Sequence, residues 1–132
     1  TAALSGVDVR LMIPYETDTK IVEWASRTYV LATVKAGVKV YLYKAGFNHS
    51  KLLVADDSIA TIGSTNVDFR SFENDFEANA FFYDKKIALK VKDIFLKDQE
   101  ESVALEDVRN LTHRSFLQRL WESMVRLLSP LL

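Results

Sequence analysis

His49-Ser50-Lys51-Leu52-Leu53-Val54-Ala55-Asp56-Asp57-Ser58-Ile59-Ala60-Thr61-Ile62-Gly63-Ser64-Thr65-Asn66 is the stretch on which the reading of this chain turns. It reads as two strands joined by a tight turn at Asp56-Asp57-Ser58, the second running from Ile59 to Gly63. His49 and Lys51 lie two positions apart, so in a strand both side chains project from one face. Folding the second strand back brings Ser64 and Asn66 out beside them. An imidazole, an ammonium, a hydroxyl and an amide gathered around one point suit a phosphate diester. The implied chemistry is phosphoryl transfer.

Each group has a task in that chemistry. An imidazole with a pKa of about 6.5 serves near neutrality as a nucleophile or, protonated, as an acid. Attack on phosphorus gives a covalent phosphohistidine and splits one hard displacement into two easier ones. Lys51 supplies positive charge to the non-bridging oxygens, and Ser64 and Asn66 supply hydrogen-bond donors, so all three are candidate phosphate ligands. The lysine takes over charge neutralisation, so no divalent metal or other cofactor is implied, and no metal-ligand spacing surrounds the motif. A reacting histidine needs a partner on its other ring nitrogen. Glu77 is the best candidate, at the start of a segment through Tyr83 that reads as a largely buried strand; the bland alternative is a solvated strand-end carboxylate. Asp56 sits inside the turn, where a role in pinning the turn is favoured over contact with phosphate.

The remaining pattern is α/β. Val7 to Ile13 alternates as a strand ending at Pro14. A helix follows, capped by Thr17 or Asp18, with Ile21, Trp24, Ala25, Thr28, Leu31, Ala32 and Lys35 near one face and Gly37 closing it. Val38 to Tyr43 is the next strand, and strand–helix–strand order predicts a right-handed parallel crossover. Lys44 to Asn48 reads as a loop leading into the His49 strand, and Val67 to Asn74 as a polar-aromatic connection. Asp84 caps a helix over roughly Lys85 to Lys97, with Ile87, Val91, Ile94 and Phe95 facing inward. The acidic run Asp98 to Glu101 reads as a solvated link. From Thr112 onward Phe116, Leu117, Leu120, Trp121, Met124, Val125, Leu127 and Leu128 recur at helical spacing. That helix packs on a core or rests on headgroups, and its charges interrupt any membrane span.

Composition sets bounds. The chain has 132 residues, 48% hydrophobic and 27% charged, with a formal charge of −1. These values predict one soluble domain over residues 1–132 and argue against broad nucleic-acid binding. The absence of cysteine excludes a disulfide scaffold. The opening Thr1-Ala2-Ala3-Leu4 has no signal-peptide character and reads as a piece of something longer.

The spacing H-x-K-x4-D-x6-G-S-x-N resembles the phospholipase D superfamily signature, with every fixed position filled. Six specified residues at about one in twenty each would arise by chance in roughly one such chain in a million. Further stretches resemble the second catalytic half of bacterial cardiolipin synthases: Gly6 to Pro14, Gly46-Phe47-Asn48-His49-Ser50-Lys51, Asn66-Val67-Asp68-Phe69-Arg70-Ser71-Phe72 and the ending Arg126 to Leu132. The resemblance implies a phospholipase D-like mixed sheet flanked by helices, forming one half of a pseudo-twofold enzyme with two motifs. It implies transfer of a phosphatidyl group between two phosphatidylglycerols at the bacterial cell membrane, giving cardiolipin and glycerol. It also implies an acid after the G-S-x-N element, here Glu77, that orients the histidine.

Family members bring two motifs together, one histidine attacking and the other protonating the leaving group. His113, the other histidine, lacks a lysine two residues on and reads as a helix-surface or packing residue. The second half-site is expected from an N-terminal half with its own motif, or from a second copy of this chain. Without it these residues are expected to be inactive. By analogy His49 is the proton donor, although the residues leave its role open between nucleophile and acid. Arg70 either holds a second phosphate or glycerol hydroxyl, or pairs with Glu73 or Asp75. Phe69, Phe72 and Phe76 are expected in the core, with an acyl entrance as the alternative. A homodimeric phosphodiesterase or nuclease, and a silent phosphate-binding half, are the other functional classes.

Overall fold

The computed structural model describes residues 1–15, 29–66 and 69–105, with 69 and 70 described through their backbone. The expected cap at Thr17 or Asp18, the helical positions Ile21 to Thr28, His113 and the C-terminal amphipathic segment lie outside the described residues. The chain divides into two compact units, Thr1–Phe47 with Glu101–Leu132, and Asn48–Glu100.

The first unit holds a three-stranded sheet in the order β1 (Arg10–Pro14), β2 (Lys39–Tyr43) and β6 (Ser102–Ala104). β1 and β2 pair in parallel, Arg10 opposite Lys39 and Pro14 opposite Tyr43, as a strand–helix–strand order requires. β1 starts later than its apolar pattern suggested and takes in Pro14. Among the described residues it is an edge strand, where the donor that proline lacks has no ladder partner. Ahead of it, Asp8 accepts from Arg10 and pairs with Lys39 at 2.9 Å. The Arg10 guanidinium, followed by the Lys39 ammonium, holds the Asp8 carboxyl down to about 2.

Helix α1, described over residues 29–35, closes with two bonds, Val38 N–H to Thr33 O and Gly37 N–H to Val34 O. These form a Schellman cap, with Gly37 left-handed at φ 91° where a Cβ would be strained. Val30 and Val34 pack with Leu11, Ile13 and Val38 against buried Val40, Leu42 and Leu105. Ala32 and Lys35, expected near one helical face with Leu31, are exposed. The Val30–Val34 row, one helical turn apart, defines the contact instead. Strand β6 was not anticipated, because three residues are too few to show a period. It runs antiparallel to β2, Val103 opposite Leu42.

The second unit is an antiparallel sheet, β3 (Lys51–Ala55), β4 (Ile59–Gly63) and β5 (Asn79–Phe82) in that order, with α2 (Phe69–Glu73) and α3 (Lys85–Glu100). Leu52, Val54 and Phe82 surround buried Ala60 on one face, which packs on Ile87, Ala88 and Val91 of α3. Asp84 caps α3, its Oδ1 accepting from Ile87 N–H at 2.9 Å. Lys92 ties the helix to the hairpin turn through Asp57 at 2.6 Å.

Four expectations are corrected here. Ala88 rather than Ile94 faces inward, since Ile94 is exposed. Asp98 to Glu100 continue α3 rather than forming a link, because no glycine or proline stops the helix before Glu101. Residues from Phe69 form a short helix rather than a plain connection. The Glu77 to Tyr83 segment is largely exposed, and its strand begins only at Asn79. β5 is an edge strand whose sheet is covered on one face by α3, so Phe81 on the opposite face is open among the described residues.

Candidate active site

The antiparallel register brings the motif together at one end of the second sheet. Lys51 opens β3 opposite Gly63, and Gly63 closes β4 opposite Asn79. Ser64 to Asn66 and Glu77 therefore leave the sheet at the end where the chain enters from His49. The turn that sets this register spans Ala55 to Ser58, with Ser58 N–H bonded to Ala55 O at 3.1 Å. Its central residues, Asp56 and Asp57, both have positive φ, 50° and 54°, the pattern of a type I′ turn.

No hydrogen bond to the Asp56 carboxylate appears among the described residues, and what the structure shows at this position is a left-handed backbone. Its expected bonding to turn N–H groups is absent there, and the Asp57–Lys92 pair anchors the turn instead. Asp56→Gly should therefore keep activity within about threefold and leave stability unchanged or slightly raised, since glycine adopts positive φ freely. A loss on the scale of a catalytic residue, measured by initial rate, would instead place the carboxylate in the chemistry.

His49 stands in the loop before β3 rather than in the strand, and its side chain is exposed. The cause is local: Asn48 Oδ1 accepts from both the Ser50 N–H and the Ser50 hydroxyl. This Asx turn diverts Ser50 from the ladder, so pairing starts at Lys51. Lys51 Nζ folds back and donates to His49 O at 2.8 Å, which holds the ammonium beside the histidine's backbone. Strand alternation thus does not place these two groups together. A side-chain to main-chain hydrogen bond sets the ammonium at the His49 carbonyl instead.

Glu77 is the hub of the opposite wall. Its Oε2 accepts from the Ser64 hydroxyl and its Oε1 from the Ser71 hydroxyl, the latter at 2.7 Å. Ser64 Oγ in turn accepts from Ala78 N–H at 3.0 Å, while Ser64 N–H donates to Ala78 O at 3.1 Å. A serine hydroxyl has one proton. With that proton on Glu77, Ser64 acts first as a holder of the carboxylate, and donation to a phosphate oxygen requires the hydroxyl to turn. Asn66 has an exposed side chain, and its N–H donates to Ser71 Oγ at 3.2 Å. Asn79 Nδ2 donates to the Thr65 hydroxyl, fastening the middle of the motif loop.

Ser71 is the participant that sequence reasoning missed. It lies within a quoted stretch, but a lone serine between an arginine and a phenylalanine carries no periodic or motif signal. The Arg70 and Phe69 side chains lie outside the described residues. Phe72 and Phe76 are exposed, against the expectation of core packing. They flank a turn with no apolar surface over it among the described residues. No group of three histidine, aspartate or glutamate side chains suited to a metal ion occurs among the described residues.

The family model of the cardiolipin synthase, phospholipase D-like domain matches residues 1–99, three quarters of the chain and every site residue described above. The chain belongs to this family. It is 44% identical over 133 residues to a cardiolipin synthase of Clostridium perfringens (strain SM101 / Type A). It is 46% identical over 136 residues to the major cardiolipin synthase ClsA of Bacillus subtilis (strain 168). Against a cardiolipin synthase of Geobacillus thermodenitrificans (strain NG80-2) it is 47% identical over 131 residues. Each alignment covers 99% of this chain but only 26–27% of the relative. The mixed α/β architecture is consistent with a phospholipase D-like domain. His49, Lys51, Asp56, Ser64, Asn66 and Glu77 all fall inside the matched span. No helix of the described residues is long and apolar enough to cross a membrane.

Proposed function

We propose that this domain supplies one half of the catalytic centre of a phosphatidyltransferase that makes cardiolipin from two molecules of phosphatidylglycerol. The observation that carries the reading is the convergence of Lys51, the Ser64–Asn66 loop and a doubly held Glu77 at the sheet end where His49 enters. The relatives named as cardiolipin synthases support cardiolipin as the product. In the first half-reaction an imidazole nitrogen attacks the phosphorus of one phosphatidylglycerol. The bond from phosphorus to the headgroup glycerol breaks, and the departing oxygen takes a proton from the second imidazole. In the second, the free hydroxyl of another phosphatidylglycerol gives its proton to that imidazole and attacks the phosphohistidine. Cardiolipin forms, and the first histidine is restored.

His49 provides one of the two imidazoles. Lys51 and Asn66 face the non-bridging oxygens, Ser64 fixes the loop and Glu77 orients the histidine. The second motif comes from another part of a longer polypeptide or from a second copy of this chain. Both substrates are lipids, so the reaction takes place at the surface of the bacterial cell membrane. Exposed Phe72 and Phe76, on the segment leading into Glu77, offer apolar surface to acyl chains.

The test is the product. The complete polypeptide carrying this domain, supplied with phosphatidylglycerol vesicles and analysed by mass spectrometry, should give cardiolipin and glycerol in equal amounts. Phosphatidic acid in place of cardiolipin would mean that water is the acceptor and the domain serves a hydrolase. Activity on DNA with none on lipid would sink the proposal.

A further inference from the structure

Ser71 is the only buried polar side chain among the described residues, at 7% exposure. A hydroxyl taken from water costs free energy unless both its donor and acceptor capacities find partners. Ser71 finds both. It accepts from Asn66 N–H at 3.2 Å and donates to Glu77 Oε1 at 2.7 Å. Neither bond is a helix cap. A capping serine accepts from an N–H two or three residues further on in its own helix, whereas Asn66 lies five residues upstream, before α2 begins.

The consequence for the carboxylate is geometric. Glu77 has its two oxygens held from two directions, Oε2 by Ser64 of the motif loop and Oε1 by Ser71 of α2. One bond would leave the carboxylate free to swing about its last torsion, which is broad for this side chain. Two bonds from separate segments fix its plane. The same Ser71 hydroxyl also grips the backbone of Asn66, so the carboxylate and the last residue of the motif loop share one anchor.

We propose that Ser71 is a positioning residue of this site: its buried hydroxyl locks the orientation of Glu77 and the placement of Asn66 in a single three-way junction. It acts through those two groups and does not touch the reacting phosphate. The inference rests on the proposed phosphatidyl-transfer reading, in which Glu77 orients His49 and Asn66 faces the phosphate.

The experiment compares Ser71→Ala, Ser71→Thr and Ser71→Val in the complete polypeptide, with His49→Ala beside them. Threonine and valine have nearly the same shape and differ in the hydroxyl. Ser71→Ala and Ser71→Val should lower kcat by about tenfold to a hundredfold, the scale of a misplaced catalytic group, with KM within about twofold. Ser71→Thr should restore kcat to within about threefold of the parent. Equal kcat for Thr and Val overturns the inference, as does an effect confined to KM. Loss of the thermal unfolding transition in both Ala and Val overturns it too, in favour of a purely structural role. Full activity of His49→Ala would instead strike the underlying reading. An inactive His49→Ala with indifferent Ser71 variants would leave that reading standing and remove this one.

Discussion

Replacing His49 with alanine should lower phosphatidyl transfer by at least about 10²- to 10⁴-fold, the range that a positioned acid–base group supplies, while the domain stays folded. The structure separates the two effects. His49 is exposed, its loop is held by Asn48 and Ser50, and the bond that Lys51 makes is to the His49 carbonyl oxygen. An alanine keeps that oxygen, so Lys51 retains its anchor and stability should move by no more than about 0.5 kcal/mol. The role of the imidazole can be read in the same variant with a substrate whose leaving group departs without a proton, such as a nitrophenyl phosphodiester. If His49 is the acid, His49→Ala recovers much of its activity on that substrate. If His49 is the nucleophile, the loss is the same on both substrates, and no phosphohistidine is trapped by denaturing quench. Parent-like transfer in His49→Ala would exclude it from the chemistry altogether.

How much of this site was legible in the chain depends on what each residue's neighbours enforce. The hairpin was legible because its turn is local: Asp56 and Asp57 tolerate positive φ, and the apolar residues on either side pair in one register. The Gly37 cap and the Asp84 cap were legible for the same reason, each set within one helical turn. Legibility failed wherever a partner distant in sequence decided the outcome. β6 exists because β2 offers it an edge, and three residues cannot announce that. The β5 segment looked buried because Ala80, Phe81 and Phe82 are apolar, but only one face of its sheet meets α3. His49 looked like a strand residue until the Asn48 side chain took the Ser50 N–H. Glu77 was found as a carboxylate near the motif, yet its grip by Ser64 and Ser71 spans 13 and 6 residues, beyond any local pattern. Chemistry-bearing residue types at fixed spacing thus pointed to the site, while the contacts that orient them required the fold.

Gly63→Ala tests the tightest of those contacts and should be as damaging as loss of a catalytic group. Gly63 is not at positive φ, so its requirement is space rather than backbone freedom. It closes β4 opposite Asn79, and a Cβ there would lie 2.5 Å from the Ala78 carbonyl oxygen and closer still to the Asn79 side chain. The Asn79 amide can swing away. The Ala78 carbonyl cannot move freely, because Ser64 N–H holds it at 3.1 Å. The added methyl must therefore part β4 from β5 at the point where the Ser64 hydroxyl reaches Glu77. Overpacking of this kind costs about 1–3 kcal/mol, visible as a fall of several degrees in the midpoint of thermal unfolding. Transfer should fall further than the lost stability accounts for, since a shift of about 1 Å in a catalytic group can cost roughly a hundredfold. Adding Asn79→Ala to Gly63→Ala separates the two clashes. The double variant should regain part of the melting temperature, because the side-chain overlap is gone. It should regain little activity, because the carbonyl of Ala78 still forces the strands apart. A Gly63→Ala protein that melts and turns over like the parent would mean that the Ser64–Glu77 junction tolerates a wider strand separation. The activity would then rest on the His49 loop and Lys51 alone.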